Sequence, residues 1–286
     1  SPHVVLTYLF HADMIGRLAL HSATSVPIVP FLRTTYNHPK YLIARILEWL
    51  TKPLVRQYLA NSDAVKDFYI KHIGVHPEKI TVIPNGIDTS YFDSIMPDPK
   101  LRESLGIKPD DFVIICVANL HINKGHRYLL EAFKNIYSEH PNTRLLIVGD
   151  GVERSNLKHQ IREYTSKNNI IFLGRRTNVP ELLKISDCFV LPTLFEGQSN
   201  AIMEAMASGL PVITTNIPEN RMLIKTNSNG ILVPTRDVNA IVQAINTVVV
   251  PGGLSDKYGK SGKEFLEQNF SLKTSINSLH QFLSSL

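Results

Sequence analysis

From Phe112 onward, short apolar runs alternate with helical patterns. The runs are "FVIICV", "RLLIVG", "IIFLG", "CFVLPT", "PVITT" and "GILVP", with segments such as "HRYLLEAFKNIYSEH" between them. A strand, a crossover helix and a further strand make a parallel sheet covered on both faces, so this alternation fixes an α/β class. Residues 3–84 repeat the logic on a smaller scale, with strand candidates "HVVLTYL", "PIVPFL", "QYLANS" and "KITVIPNG". Between the two regions lies "NGIDTSYFDSIMPDPK", rich in Asn, Asp, Gly and Pro, which reads as a linker. The expected domains are therefore 1–92 and 93–270, with the boundary near Asp93. A tail at 271–286, containing "SINSLHQFLSSL", is expected to form a helix that packs back on the first domain.

Composition narrows the class. The chain has 286 residues with 43% hydrophobic and 19% charged, enough for two modest globular domains. An excess of 30 Lys+Arg over 25 Asp+Glu gives +5, which suits an anionic ligand or an anionic membrane surface, and equally an ordinary solvated surface. Cys116 and Cys188 each fall inside an apolar strand-like run, so both read as buried reduced thiols of a cytosolic protein. No apolar run is long enough to span a bilayer, and no signal peptide opens the chain. The chain starts without methionine, directly in "HVVLTYLF", which reads as the middle of a domain and leads us to expect a truncated start.

The stretch "EGQSNAIMEAMASGLPVI" carries the strongest chemical signal, because two carboxylates stand with seven residues between them, Glu196 beside a glycine in a loop and Glu204 a turn inside a short helix. In an open parallel sheet, ligands bind outside the carboxyl ends of the strands, and "CFVLPT" delivers the loop "LFEGQS" there. Gly197 lets the backbone approach a ligand, and a helix starting near Asn200, capped by a serine or asparagine, aims N–H groups and a positive dipole end at the same point. Carboxylates accept hydrogen bonds only, and the diol of a ribose or sugar supplies matching donors. A second loop, "ANLHINKG", places Lys124 and Gly125 before the next helix, where a lysine neutralises a diphosphate; a third, "GDG" at 149–151, offers flexible backbone. The absence of G-x-G-x-x-G and Walker patterns disfavours a dehydrogenase or P-loop NTPase. No Asp-x-Asp pair or His/Cys cluster suggests a metal.

These motifs, quoted in order as "VANLHINKGHRYLLEAF", "RLLIVGDGVER", "IIFLGRRTNVPELLKISDCFVLPTLFEGQSNAIMEAMASGLPVITTN" and "NGILVP", resemble the retaining GT-B glycosyltransferases of family four, also called glycosyl transferases group 1. The resemblance covers 1–286 and is strongest at 112–234. It implies a GT-B fold of two Rossmann-like, doubly wound parallel-sheet domains, the first one incomplete. It also implies that Glu196 meets the donor sugar, Glu204 the ribose hydroxyls and Lys124 the diphosphate, with Glu196 and Lys124 the catalytic pair. Gly197, Gln198, Ser199 and Asn200 look like its loop over sugar and phosphate, and Asn119, Gly149 and Arg175 complete the implied donor contacts. The nucleotide sugar is a substrate, and no separate cofactor is implied.

The chain also departs from the family. Asn119 stands where an arginine is usual, five residues before Lys124. Leu6 and Tyr8 occupy the positions of a common H-x-H, with His11 nearby, and Met222 replaces a glutamate. The opening βα units of the first domain are missing. The resemblance implies transfer of a sugar from a nucleotide-sugar donor to a glycan, lipid-linked or small-molecule acceptor hydroxyl, with retention, in the cytoplasm or at the inner membrane face. Nucleic acid is not expected as a partner. A catalytically incompetent nucleotide-sugar-binding fragment, or a non-catalytic partner subunit, is the alternative.

Overall fold

The computed structural model describes residues 3–23, 26–35, 41–250 and 254–286. It divides into two compact units. The first comprises Ser1–Gly86, Glu196–Gln198 and Leu272–Leu286, and the second Ile87–Phe195 and Ser199–Ser271.

In the first unit, β1 (Val5–Tyr8), β2 (Ile28–Leu32), β3 (Tyr58–Ala60) and β4 (Ile80–Val82) lie side by side in chain order, each pair parallel. Val29 and Leu59 pack on one face with Ile83 and with Phe282 of helix Leu272–Ser284. The Ser275 hydroxyl of that helix donates to the Pro84 carbonyl. Tyr58, Val65, Tyr69 and Ile73 fill a second cluster. Helices Phe10–Ala23 and Leu42–Thr51 are joined through Arg17, which is fully buried. Its Nε donates to Asp13 at 3.0 Å, its Nη1 to the Thr51 hydroxyl at 2.8 Å, and it pairs with Glu48 at 2.8 Å. Burial pushes the Asp13 and Glu48 carboxyls above the usual carboxylate range, and the guanidinium between them opposes that shift.

The second unit holds β5 (Phe112–Val117), β6 (Thr143–Val148), β7 (Ile170–Gly174), β8 (Cys188–Leu191), β9 (Val212–Thr215) and β10 (Ile231–Val233). Their order across the sheet is β10-β9-β8-β5-β6-β7, all parallel. Helices such as His126–Glu139 and Val238–Val249 cover the sheet, burying β8 throughout and β5 from Val113 to Cys116; hence their unbroken apolar runs. Cys116 and Cys188 are free thiols in this core, and burial pushes Cys116 up to about 12. The chain enters the second unit at Ile87, ahead of the expected Asp93 boundary. Ile87 N–H donates to the Phe270 carbonyl at 2.9 Å, Phe92 is buried in the second core, and Asp93 pairs with Lys263.

Candidate donor-binding site

The winding of the second sheet reverses between β5 and β8, since β6 and β7 lie to one side of β5 and β8 to β10 to the other. Such a switch point opens a crevice at the carboxyl ends of the flanking strands. The loop after β5 carries Asn119 and Lys124, and the loop after β8 runs into helix Asn200–Ala207. Backbone contacts lace the loops together. Leu194 N–H donates to the Asn123 carbonyl at 2.7 Å, and the Thr193 hydroxyl donates to the same carbonyl at 3.0 Å. Leu120 N–H donates to the Asp150 carbonyl at 3.0 Å, and Gly149 N–H to the Gly174 carbonyl at 2.8 Å. The edge from β8 to β7 is thus one continuous rim.

Two glycines are required by that rim. Gly125 has φ +72°, and a Cβ there would stand 2.0 Å from the Pro192 carbonyl oxygen. Gly149 has φ +132°, and its Cβ would stand 2.0 Å from the Ala118 carbonyl oxygen.

The two helices flanking the switch point, His126–Glu139 and Asn200–Ala207, both start without a side-chain cap. Ser199 occupies the cap position of the second, but its hydroxyl makes no cap hydrogen bond. Both helix starts therefore aim backbone N–H groups and a positive dipole end at the crevice.

Lys124 ends a short 3-10 turn, Ile122–Lys124, immediately before Gly125. Its ammonium is felt by His126, the first residue of the following helix: burial, with Lys124 adding to it, lowers His126 to about 4. Among the described residues neither buried ring nitrogen of His126 has a hydrogen-bond partner, and the imidazole is neutral. Glu204 lies in helix Asn200–Ala207 between the buried Met203 and Ala205. Burial alone raises its carboxyl above the ordinary glutamate range, and no opposing cation or hydrogen bond offsets it. A half-buried carboxylate kept without a protein donor is suited to ligand hydroxyls.

The remaining expected residues fall in two groups. Asn119 is exposed, and Arg175 is exposed just beyond β7. Asp150 is held below the usual carboxylate range by the Gly151 N–H, with Arg154 and Arg175 adding to the effect. Asn119, Lys124, Gly149, Arg175, Ser199, Asn200 and Glu204 all belong to the second unit, whereas Glu196, Gly197 and Gln198 group with the first. There Gly197 is buried against the Arg33 carbonyl. The Gln198 amide is held by Asn85, whose N–H donates to Oε1 at 2.6 Å and whose carbonyl accepts from Nε2 at 3.2 Å. Gln198 is thus tied to the backbone of Asn85. His11 lies exposed at the start of helix Phe10–Ala23, and Met222 packs partly buried against the second core. Among the described residues no three or more His, Cys, Asp or Glu side chains gather to hold a metal ion. The rim contacts of Asn123, Pro192 and Thr193, and the buried His126, went unnoticed in the sequence; only the glycine after Lys124 hints at so close a backbone approach.

Residues 97–265 match the family model described as glycosyl transferases group 1. The chain belongs to that family. Residues 1–91 match the Glycosyltransferase Family 4 model. This member of glycosyl transferases group 1 is 33% identical over 252 residues to the UDP-Gal:alpha-D-GlcNAc-diphosphoundecaprenol alpha-1,3-galactosyltransferase of Escherichia coli, a match covering 85% of the chain and 65% of that relative. The chain is 29% identical to the alpha-monoglucosyldiacylglycerol synthase of Acholeplasma laidlawii, over 76% of its own length and 60% of that protein. It thus spans about two thirds or less of the length of these relatives. Among solved structures, Anabaena Alr3699/HepE in complex with UDP superposes with a TM-score of 0.86 at 25% identity, covering 99% of this chain and 79% of that one. Two parallel-sheet units with helices are the GT-B fold of these neighbours.

Proposed function

We propose that this chain transfers a sugar from a nucleoside-diphosphate sugar to an acceptor hydroxyl, with retention of anomeric configuration. The observation that carries the reading is the switch-point rim. It sets Lys124, two helix amino termini and the half-buried Glu204 carboxylate of helix Asn200–Ala207 at one sheet edge. Lys124 and the helix ends neutralise the diphosphate, and Glu204 accepts from the ribose hydroxyls. In transfer, the bond from the anomeric carbon to the diphosphate oxygen breaks and the acceptor oxygen bonds that carbon from the same face. The acceptor proton passes to the departing diphosphate. Lys124 stabilises the charge that develops on the leaving oxygen, and Glu196 contacts the sugar. UDP in the neighbouring complex and UDP-Gal in a relative's name favour a uridine donor. The diphosphoundecaprenol and diacylglycerol in the relatives' names favour a lipid-linked acceptor.

Incubation of the chain with radiolabelled UDP-sugars and a polyprenyl-diphosphate sugar tests this, with the product anomer read by proton NMR. Transfer with the donor's own anomeric configuration is expected. Binding of UDP without transfer to any such acceptor favours a nucleotide-sugar-binding role, and an inverted product contradicts the retaining step.

A further inference from the structure

Strand β7 (Ile170–Gly174) is the outer strand of the second sheet. Among the described residues it pairs with β6 alone, so its other edge has no strand beside it. A groove of about 520 Å³ runs there, and Ile170, Ile171 and Phe172 all line it together with Ile161. Consecutive strand residues point to opposite faces, so a groove that meets three in a row follows the strand's edge and does not lie over one face. Ile171 and Phe172 stay half-buried, whereas their register partners on β6, Leu146 and Ile147, are fully buried. The edge therefore offers both backbone groups and apolar surface.

Charge selects what the edge takes. Lys158, Arg162 and Lys167 line the same groove, and all three are exposed. Among the described residues none of them is in an ion pair. Lys167 donates to the Arg162 carbonyl at 3.3 Å, which leaves its charge uncompensated. Residues 154–176 hold the cations Arg154, Lys158, Arg162, Lys167, Arg175 and Arg176 against one carboxylate, Glu163. Two acids on adjoining elements are already engaged: Asp150 accepts from Arg154 at 2.8 Å, and Glu131 accepts from the Tyr164 hydroxyl at 2.5 Å and pairs with Lys134. Arg154, Lys158 and Arg162 recur at every fourth residue, a spacing at which like charges repel on a helix, and an anionic partner relieves that repulsion. The same charges bar the matching edge of a second copy, which would bring its own cations to the contact. Lys158 also lies over the Phe172 ring at 5.9 Å, so the cationic rim and the apolar floor meet.

We propose that the free edge of β7 docks an extended acidic segment of another protein, which adds to the second sheet as a further strand. The segment's backbone pairs with β7, its carboxylates meet Lys158, Arg162 and Lys167, and its apolar side chains rest on Ile161 and Phe172. The docking is independent of the transfer reaction, since a chain that transfers nothing would still bind such a segment. A fluorescein-labelled peptide of about seven residues, alternating glutamate with valine, serves as the probe, followed by anisotropy. The chain is expected to bind it with new hydrogen-exchange protection over 170–174, and to bind a lysine–valine peptide at least about tenfold more weakly. The glutamate–valine peptide N-methylated along its backbone keeps every charge but cannot donate to β7, and a loss of about tenfold or more is expected for it as well. The double variant Lys158→Glu, Arg162→Glu is expected to keep the wild-type melting profile, both positions being exposed, while binding the acidic peptide about tenfold or more weakly. The proposal is overturned if the N-methylated peptide binds as tightly as its parent, if the double variant binds the acidic peptide like the wild type, or if 170–174 gains no protection. It is also overturned if a short single-stranded oligonucleotide displaces the peptide and binds more tightly, which makes a polyanion the occupant.

Discussion

The backbone N–H of Leu194 donates to the carbonyl of Asn123 across 2.7 Å, tying the loop after β8 to the loop after β5 at the point where the sheet reverses its winding. The distance between Lys124 and the start of helix Asn200–Ala207 is therefore set by backbone, and a change that parts these loops is felt by any ligand bound across them.

Gly125→Ala parts them. The added methyl meets the Pro192 carbonyl at 2.0 Å, and φ +72° disfavours any L side chain. Strain of this kind costs of order 1–3 kcal/mol. Thermal melting is expected to show a lower Tm for the variant, and calorimetry a weaker affinity for UDP. Unchanged values in both would show that the loops relax at no cost.

Lys124→Ala is expected to weaken UDP more than uridine, because the proposed site assigns the lysine to the phosphates. A charge-assisted hydrogen bond of roughly 1.5–3 kcal/mol corresponds to about 10- to 150-fold in affinity. Equal losses for nucleoside and nucleoside diphosphate would remove the lysine from that role. Binding is further expected to persist in the presence of a chelator, and abolition by the chelator would require a metal that these side chains do not gather.

Glu204→Gln separates binding from stability. The folded-state carboxyl is raised by burial, so its contribution to stability is fully present below the unfolded pKa and is lost as pH rises through the folded one. At neutral pH the wild type pays for a buried charge that glutamine does not carry. The variant is therefore expected to melt higher than the wild type at pH 7, with the gap closing on acidification below the glutamate range, while its UDP affinity falls. A variant that melts lower at pH 7 and binds UDP normally would make Glu204 a structural residue.

Arg17→Ala leaves Asp13 and Glu48 buried without their cation. Removing one partner from a buried pair costs about 3–5 kcal/mol. Denaturant titration is expected to show a loss of that size, and a loss below about 1 kcal/mol would show that water reaches the carboxylates.

The strands of the second unit were legible because burial on both faces leaves no polar alternation, as at Val113 to Cys116 and Leu145 to Val148. The loop carrying Lys124 and the helix carrying Glu204 were legible because a glycine or a helix start follows each strand at short range. Strand order was not, since the reversal between β5 and β8 depends on which edge each crossover takes. The pairing of Gln198 with Asn85 was hidden for a similar reason, since the two are 113 residues apart.

Hydrogen exchange resolved by segment, with and without UDP, tests the proposed site most directly. New protection is expected in the rim segments 118–126, 149–153 and 192–204, and is expected to be lost in the Lys124→Ala chain at the same UDP concentration. Protection elsewhere with these segments unchanged, or a wild-type pattern in Lys124→Ala, would contradict the assignment of the switch-point rim as the nucleotide site.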